Sequence, residues 1–470
     1  MAIVQTIEYP VEHRYFAGFL QHAIDESGVR GSVKQHKGTI TLILSEEDPE
    51  ALERFSLFAQ KYLPHSFFLG KIETQRQERE PTKERFVSGA YPIAPCPLCL
   101  EEITDPASDR YLDDTVACTH YANEEIYRDE DPTWFSPHYT GNDTVLLTDA
   151  SKARDLFLLT DEELRALFSV EKPTLRVTVK APELQALTGK KFLRVKAPYN
   201  VKSVLAALNA KESGIETLFF DERPHEPELV LVQERRYMLR DNRISVALEK
   251  LHDDPLLNRF LNVTAEAGYD EALGAALSLK HGICFPILSS DDLRKALAFA
   301  PFDREATLEE MMEDPTRRRL LENFAAKFPE TAVRLAEEDL GLFESIAAIL
   351  GLEEAAYETL LEKALEFHGN GGLKIDMNFS KEGFDYAAML GSIMSFRLAE
   401  TEPHYLAYSV FEAYGDMVVS VLGQLKREFK IDRFILLGDL LGNPVLLSRI
   451  LSKFQISTPY ISTRLALDGE

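Results

Sequence analysis

The sequence predicts a multidomain protein of mixed α/β and α+β class, and three observations carry that prediction. Residues 1–76 alternate in the order β-α-β-β-α-β. A Cys-x2-Cys pair, Cys96 and Cys99, is followed eighteen residues later by Cys118-Thr-His120, the pattern of a small metal knuckle between larger folded segments. Near the end, Phe434–Leu447 reads as a strand, a glycine turn and a helix start. At 470 residues the chain is long enough for roughly three domains.

In the first segment, Ala2–Glu8 reads as a strand. Over residues 14–27, Phe16, Phe19, Leu20, Ala23 and Ile24 share one helical face. Arg30–Gln35 and Thr39–Leu44 alternate as strands around His36-Lys37-Gly38, a hairpin signal. Glu46–Tyr62 is a second helix, with Asp48-Pro49 near its start, and Ser66–Thr74 is a last strand. This order is the split-βαβ, ferredoxin-like arrangement.

That order and the turn Gly28-Val-Arg-Gly31 resemble acylphosphatase. The resemblance implies a glycine-rich phosphate loop ending in Phe-Arg, and an Asn on the next strand that positions water. Here the Arg position is Ala17 and the Asn position is Gln35. The loop Tyr9-Pro-Val-Glu-His-Arg14 contains no glycine, Pro10 lacks an N–H, and Glu12 adds negative charge. Arg14 is a candidate to reach the same space. The expectation is an inert domain kept for packing or docking.

Residues 77–142 are a linker and a finger segment. Gln75–Arg85 is almost wholly polar, with Pro81 inside it. The tight turn of Cys96-Pro-Leu-Cys99 aims two thiolates at one ion, and Cys118 and His120 are the candidates for the other half of a structural zinc site. The alternative is a vestigial knuckle without metal. The string Cys96-Pro-Leu-Cys99-Leu-Glu-Glu-Ile-Thr-Asp-Pro106-Ala-Ser-Asp-Arg110-Tyr111, reaching Cys118, resembles the first zinc finger of the HypF family. These are the carbamoyltransferases of NiFe hydrogenase maturation, which also begin with an acylphosphatase-like domain. The family's last finger cysteine falls on Tyr121, beside His120, and no second finger follows. Asn123–Asn142 is instead acidic and loop-like around Trp134.

Residues 143–265 resemble part of the family's YrdC-like domain. Val145 onward reads as a strand, followed by helices at Ala150–Phe157 and Asp161–Phe168. Glu171-Lys-Pro173 through Val179 is similar to a family strand, and Arg194 through Leu205 to its Pro-Tyr segment. The half that holds ATP and carbamoyl-adenylate has no counterpart. Lys172, Arg194 and Lys196 line either an anionic pocket or a solvated strand edge, and the solvated edge is the expected state. Glu228–Val232 reads as a strand and Ile244–Leu261 as helical.

Residues 266–470 resemble the family's C-terminal domain, which implies a sugar-kinase/actin-like fold. The match runs through Ala272–Cys284 and Leu288-Ser-Ser, then Gly371-Gly372-Leu-Lys-Ile-Asp376, then Phe434-Ile-Leu-Leu-Gly438-Asp439-Leu-Leu-Gly442-Asn443. Between them the family's histidine-rich metal motif is replaced by a helical region, Thr331–Glu366, and a further helix spans about His404–Phe429. The resemblance implies a nucleotide site near Lys280, Asp376, Gly438, Asn443 and Asp468. A strand–glycine–helix turn seats phosphate against backbone N–H groups. Asp439 stands where the family has a second glycine, and its carboxylate repels phosphate.

Lys and Arg number 52 against 77 Asp and Glu, a net charge of -25. That balance argues against nucleic-acid binding and against an anionic membrane surface. No apolar run reaches membrane-spanning length, no secretion signal is visible, and four cysteines fit a reducing cytoplasm. The expected function is an accessory or interaction factor for hydrogenase maturation proteins, with structural zinc and without full carbamoyl transfer. The alternatives are an active, reduced carbamoyltransferase using ATP and carbamoyl phosphate, and a zinc-stabilised binding module of unrelated role.

Overall fold

A computed structural model describes residues 1–88, 93–113, 134–142, 144–221, 228–233, 235–240, 248–290, 292–380, 383–454 and 457–467. The chain divides into two compact units. The first is residues 1–229 with 240–247, and the second is residues 230–239 with 248–470.

The first unit opens with the β-α-β-β-α-β order that the sequence predicts. Gly31–His36, Thr39–Ser45, Ala2–Glu8 and Ile72–Gln77 lie side by side in that order as an antiparallel sheet. Lys37 and Gly38 both have positive φ, 44° and 77°, as a two-residue hairpin turn of this twist demands. The helix Tyr15–Ser27 buries Phe16, Phe19, Leu20, Ala23 and Ile24, the face read from the sequence. The helix Pro49–Tyr62 starts where Asp48 accepts hydrogen bonds from the Glu50 and Ala51 amides. The last strand begins at Ile72 rather than Ser66. Ser66 and Phe67 are used otherwise: both bond to the carboxylate of Glu171.

A mixed sheet follows, in which Glu228–Val232, Thr174–Val179, Phe192–Lys196, Thr144–Leu147 and Thr217–Phe219 are consecutive neighbours. Phe192–Lys196 is therefore flanked on both sides. The expected solvated edge is not what its cations meet. Lys196 is 0% exposed, its ammonium 4.6 Å from the Tyr199 ring centroid, and Arg194 is ion-paired with the buried Glu228 at 2.9 Å.

In the second unit, Asp292–Ala298, Gly282–Ser289 and Ala272–Ser278 form an antiparallel meander. Phe434–Leu437 and Tyr460–Ile461 extend it in parallel. Of the helix expected at Ile244–Leu261, residues 244–247 lie outside the described residues, and the described helix runs over Pro255–Ala267, started by an Asp254 cap and Pro255. Its Phe260 packs against Gly274, where a Cβ would sit 2.7 Å from the ring and 2.6 Å from Pro286. The region 331–366 is three helices, Pro329–Glu337, Leu342–Ile349 and Tyr357–Leu365, rather than one run. Gly341 and Gly351 mark the breaks, and Gly351 has φ 73°. The long helix Pro403–Phe429 buries Val410, Tyr414, Val418, Val421 and Leu422 in the core of this unit. Each such side chain is worth about 1.5–3 kcal/mol on burial.

Candidate functional site

The sequence places the chemistry of the second unit at the hairpin around Lys280 and the turn at Gly438. In the fold, Ala272–Ser278 leads into the hairpin tip and pairs in parallel with Phe434–Leu437, with Ala276 opposite Leu437. The two connections therefore leave the sheet at the same end. Gly438 has φ 106°, and a Cβ there would lie 2.1 Å from the Leu277 carbonyl oxygen. Only glycine meets both conditions.

Asp439 follows at the start of a short 3-10 turn, Asp439–Gly442. Its Oδ1 accepts hydrogen bonds from the Leu279 amide at 2.8 Å and from the Leu440 amide at 3.0 Å. One carboxylate oxygen thus collects N–H groups from both connections, the role an anionic ligand plays in a backbone cradle. Asn443 is 0% exposed and caps the helix Pro444–Lys453, accepting from the Val445 and Leu446 amides at 3.0 and 3.2 Å. Its Nδ2 is buried, with no hydrogen-bond partner among the described residues. The structure thus brings the Lys280 hairpin, Gly438 and Asp439 together, and ends the same connection at Asn443. Asp468 lies outside the described residues.

A second polar cluster sits on the helix Pro403–Phe429, with little sign of it in the residue pattern. Glu412 accepts from the Gly372 amide and pairs with Arg449 at 2.9 Å, while Arg449 grips Asp416 with two 2.7 Å contacts. Ser409 accepts from the Leu373 amide at 2.9 Å. The Gly371-Gly372 match is therefore a loop strapped to the helix. The available signal was Ser409 and Glu412 falling near one turn apart on an otherwise apolar helix face. Asp376 is exposed.

In the first unit, Cys96 is the N-cap of the helix Pro97–Thr104, and its Sγ accepts from the Cys99 amide at 3.4 Å. Both cysteines are buried. Cys118 and His120 lie outside the described residues. Among the described residues no group of three or more His, Cys, Asp or Glu side chains is placed to hold a metal. The buried Cys-x2-Cys turn, with an amide donating to sulfur, fits two positions of a four-ligand thiolate site.

The acylphosphatase-like loop is built on acceptors. Gln35 Nε2 donates to the Val11 and His13 carbonyls at 3.0 and 2.9 Å, so loop carbonyls converge on Gln35. Ala17 is buried, and the Arg14 guanidinium lies 4.3 Å from the Phe86 ring centroid. Nearby, Glu171 accepts from Tyr15 Oη at 2.6 Å, from Ser66 Oγ, and from the Phe67 amide at 3.1 Å. Burial holds its carboxyl above the usual glutamate range, against the pull of those hydrogen bonds. Burial also pulls the neighbouring Lys172 down to about 8, and its Nζ donates to the Phe168 carbonyl at 3.1 Å.

These features define the class: the fold is that of HypF. A crystal structure of full-length HypF in a phosphate- and nucleotide-bound form aligns over 99% of this chain and 96% of that one, with a TM-score of 0.58 and 13% identity. HypF of T. kodakarensis aligns over 98% and 95%, with a TM-score of 0.57 and 14% identity. In sequence the chain is similar to protein HydE of Wolinella succinogenes, 26% identical over 343 residues that cover 64% of this chain. The match spans 62% of the length of that relative. No protein-family model matches the chain. No described helix is long and apolar enough to cross a membrane.

Proposed function

We propose that this protein is an accessory factor of hydrogenase maturation, built on a HypF-like scaffold that has lost nucleotide-driven carbamoyl transfer. One observation carries the reading: Asp439 fills, with its own carboxylate, the amide cradle that a phosphate would need. Repulsion between that carboxylate and a phosphate costs on the order of 1–4 kcal/mol per charge pair, depending on the local dielectric. The loss is roughly fivefold to nearly a thousandfold in affinity. The N-terminal domain agrees in kind, because Ala17 and Gln35 supply neither the cation nor the water-orienting geometry of an acyl-phosphate site.

In this reading the knuckle is a structural zinc site. Cys96, Cys99, Cys118 and His120 would hold one ion, tying the finger segment together rather than doing chemistry. The scaffold then serves as a docking surface for the maturation proteins. The test is affinity capture with the tagged full chain from cells that make the hydrogenase. Recovery of its maturation proteins is expected, and their absence, with unrelated partners in their place, would overturn the assignment.

A further inference from the structure

Three stretches of the first unit meet where the two buried cysteines begin. Val170 donates its amide to the His65 carbonyl at 2.8 Å, and its own carbonyl accepts from the Ala94 amide at 3.1 Å. The next residue, Glu171, takes Ser66 and Phe67 of the ferredoxin-like domain. Just beyond Ala94 stands Cys96, the cap of the helix Pro97–Thr104. From that helix Glu101 reaches the end of the helix Pro49–Tyr62, accepting from Tyr62 Oη at 3.0 Å and pairing with Lys61 at 3.1 Å. The finger segment therefore bridges the ferredoxin-like domain and the turn that carries Val170 and Glu171.

Little besides the cysteines can keep this bridge in shape. The helix has 8 residues, too few to persist alone in water. Its inward face is Cys96, Cys99 and Ile103, each 0% exposed, so two of the three side chains there are thiols. The bonds through Glu101 are exposed and individually weak. An ion on both thiolates would supply the missing order, because it ties the cap to the first turn. Whatever orders the helix also orders the groups it presents to the junction, and such a linkage is reciprocal.

We propose that the knuckle is a metal-dependent clasp: ion binding at Cys96 and Cys99 holds the ferredoxin-like domain against residues 169–172, and ion loss releases that domain with its own sheet intact. The proposal rests on the zinc reading above and adds what the ion controls. The test uses the full wild-type chain, with amide exchange followed with zinc bound, after EDTA, and after zinc is returned. Zinc removal should speed exchange at Phe67 and Val170 by about tenfold or more, reversibly, with the strands Ala2–Glu8 and Thr39–Ser45 unchanged. By reciprocity, the double variant Lys61→Ala, Tyr62→Phe, which touches no thiol, should weaken zinc binding by about two- to fivefold against a competing chelator dye. Unchanged exchange at Phe67 and Val170 after zinc loss, with a rise only within residues 93–113, would overturn the clasp and leave the zinc site standing. So would wild-type zinc affinity in the double variant. Loss of protection throughout both strands would also overturn it, since the domain then unfolds instead of being released. A chain that neither carries nor takes up zinc would overturn the zinc reading itself, and the clasp with it.

Discussion

Glu171 shows how a single side chain joins parts of the first unit that are far apart in sequence. Its carboxylate is buried and receives Tyr15, Ser66 and Phe67, residues 104 to 156 positions away. The same bonds explain the late start of the last ferredoxin-like strand, because Ser66 and Phe67 are turned toward Glu171. Sequence periodicity could not reveal this, since the partner lies outside any local window. Burial raises the folded-state pKa of Glu171 above its ordinary value of 4.5. A raised acid binds protons more readily folded than unfolded, so its contribution is fully present below the ordinary pKa and is lost as pH rises through the raised one. The stability of the wild type relative to Glu171→Gln should therefore fall as pH climbs from about 4 toward neutrality. The slope should not exceed about 1.4 kcal/mol per pH unit, the limit for one proton. Urea titrations of both proteins across that range are the check, and a difference that grows with pH would contradict the account.

At the scale of elements, the local signals served well and the long-range ones did not. The helix Pro403–Phe429 and the hairpin at Lys37-Gly38 were legible because periodicity and turn chemistry are written in adjacent residues. The strand–glycine–helix element was legible too, but not the carboxylate bridge from Asp439 to Leu279, which joins residues 160 apart. Lys196 is buried rather than at the expected solvated edge because its burial follows from sheet order, which no strand announces by itself. The knuckle tests the element scale directly. Two buried cysteines at the start of the helix Pro97–Thr104 form half of the proposed zinc site. Purified protein is expected to carry one zinc per chain, and Cys96→Ser to lose most of it, with earlier proteolysis near residues 93–113. Metal analysis showing far less than one zinc per chain in the wild type would remove zinc from the account.

Over the whole molecule, the fold is that of HypF, and the proposed reading is that the groups that would run its chemistry are exchanged. Gly438 remains, because a Cβ there would strike the Leu277 carbonyl, whereas Asp439 takes the amides that face the same space. In that reading, geometry that the fold requires has stayed, and the amides that a phosphate would use are taken by Asp439. A magnesium ion shared by Asp439, Asp468 and the phosphates would reverse the sign of the repulsion, so the decisive measurement includes magnesium. It is a calorimetric titration of the full chain with Mg-ATP. The account predicts no binding at micromolar concentrations and at most weak heat in the millimolar range. Micromolar binding that Asp468→Ala abolishes would contradict it and restore a nucleotide-using carbamoyltransferase.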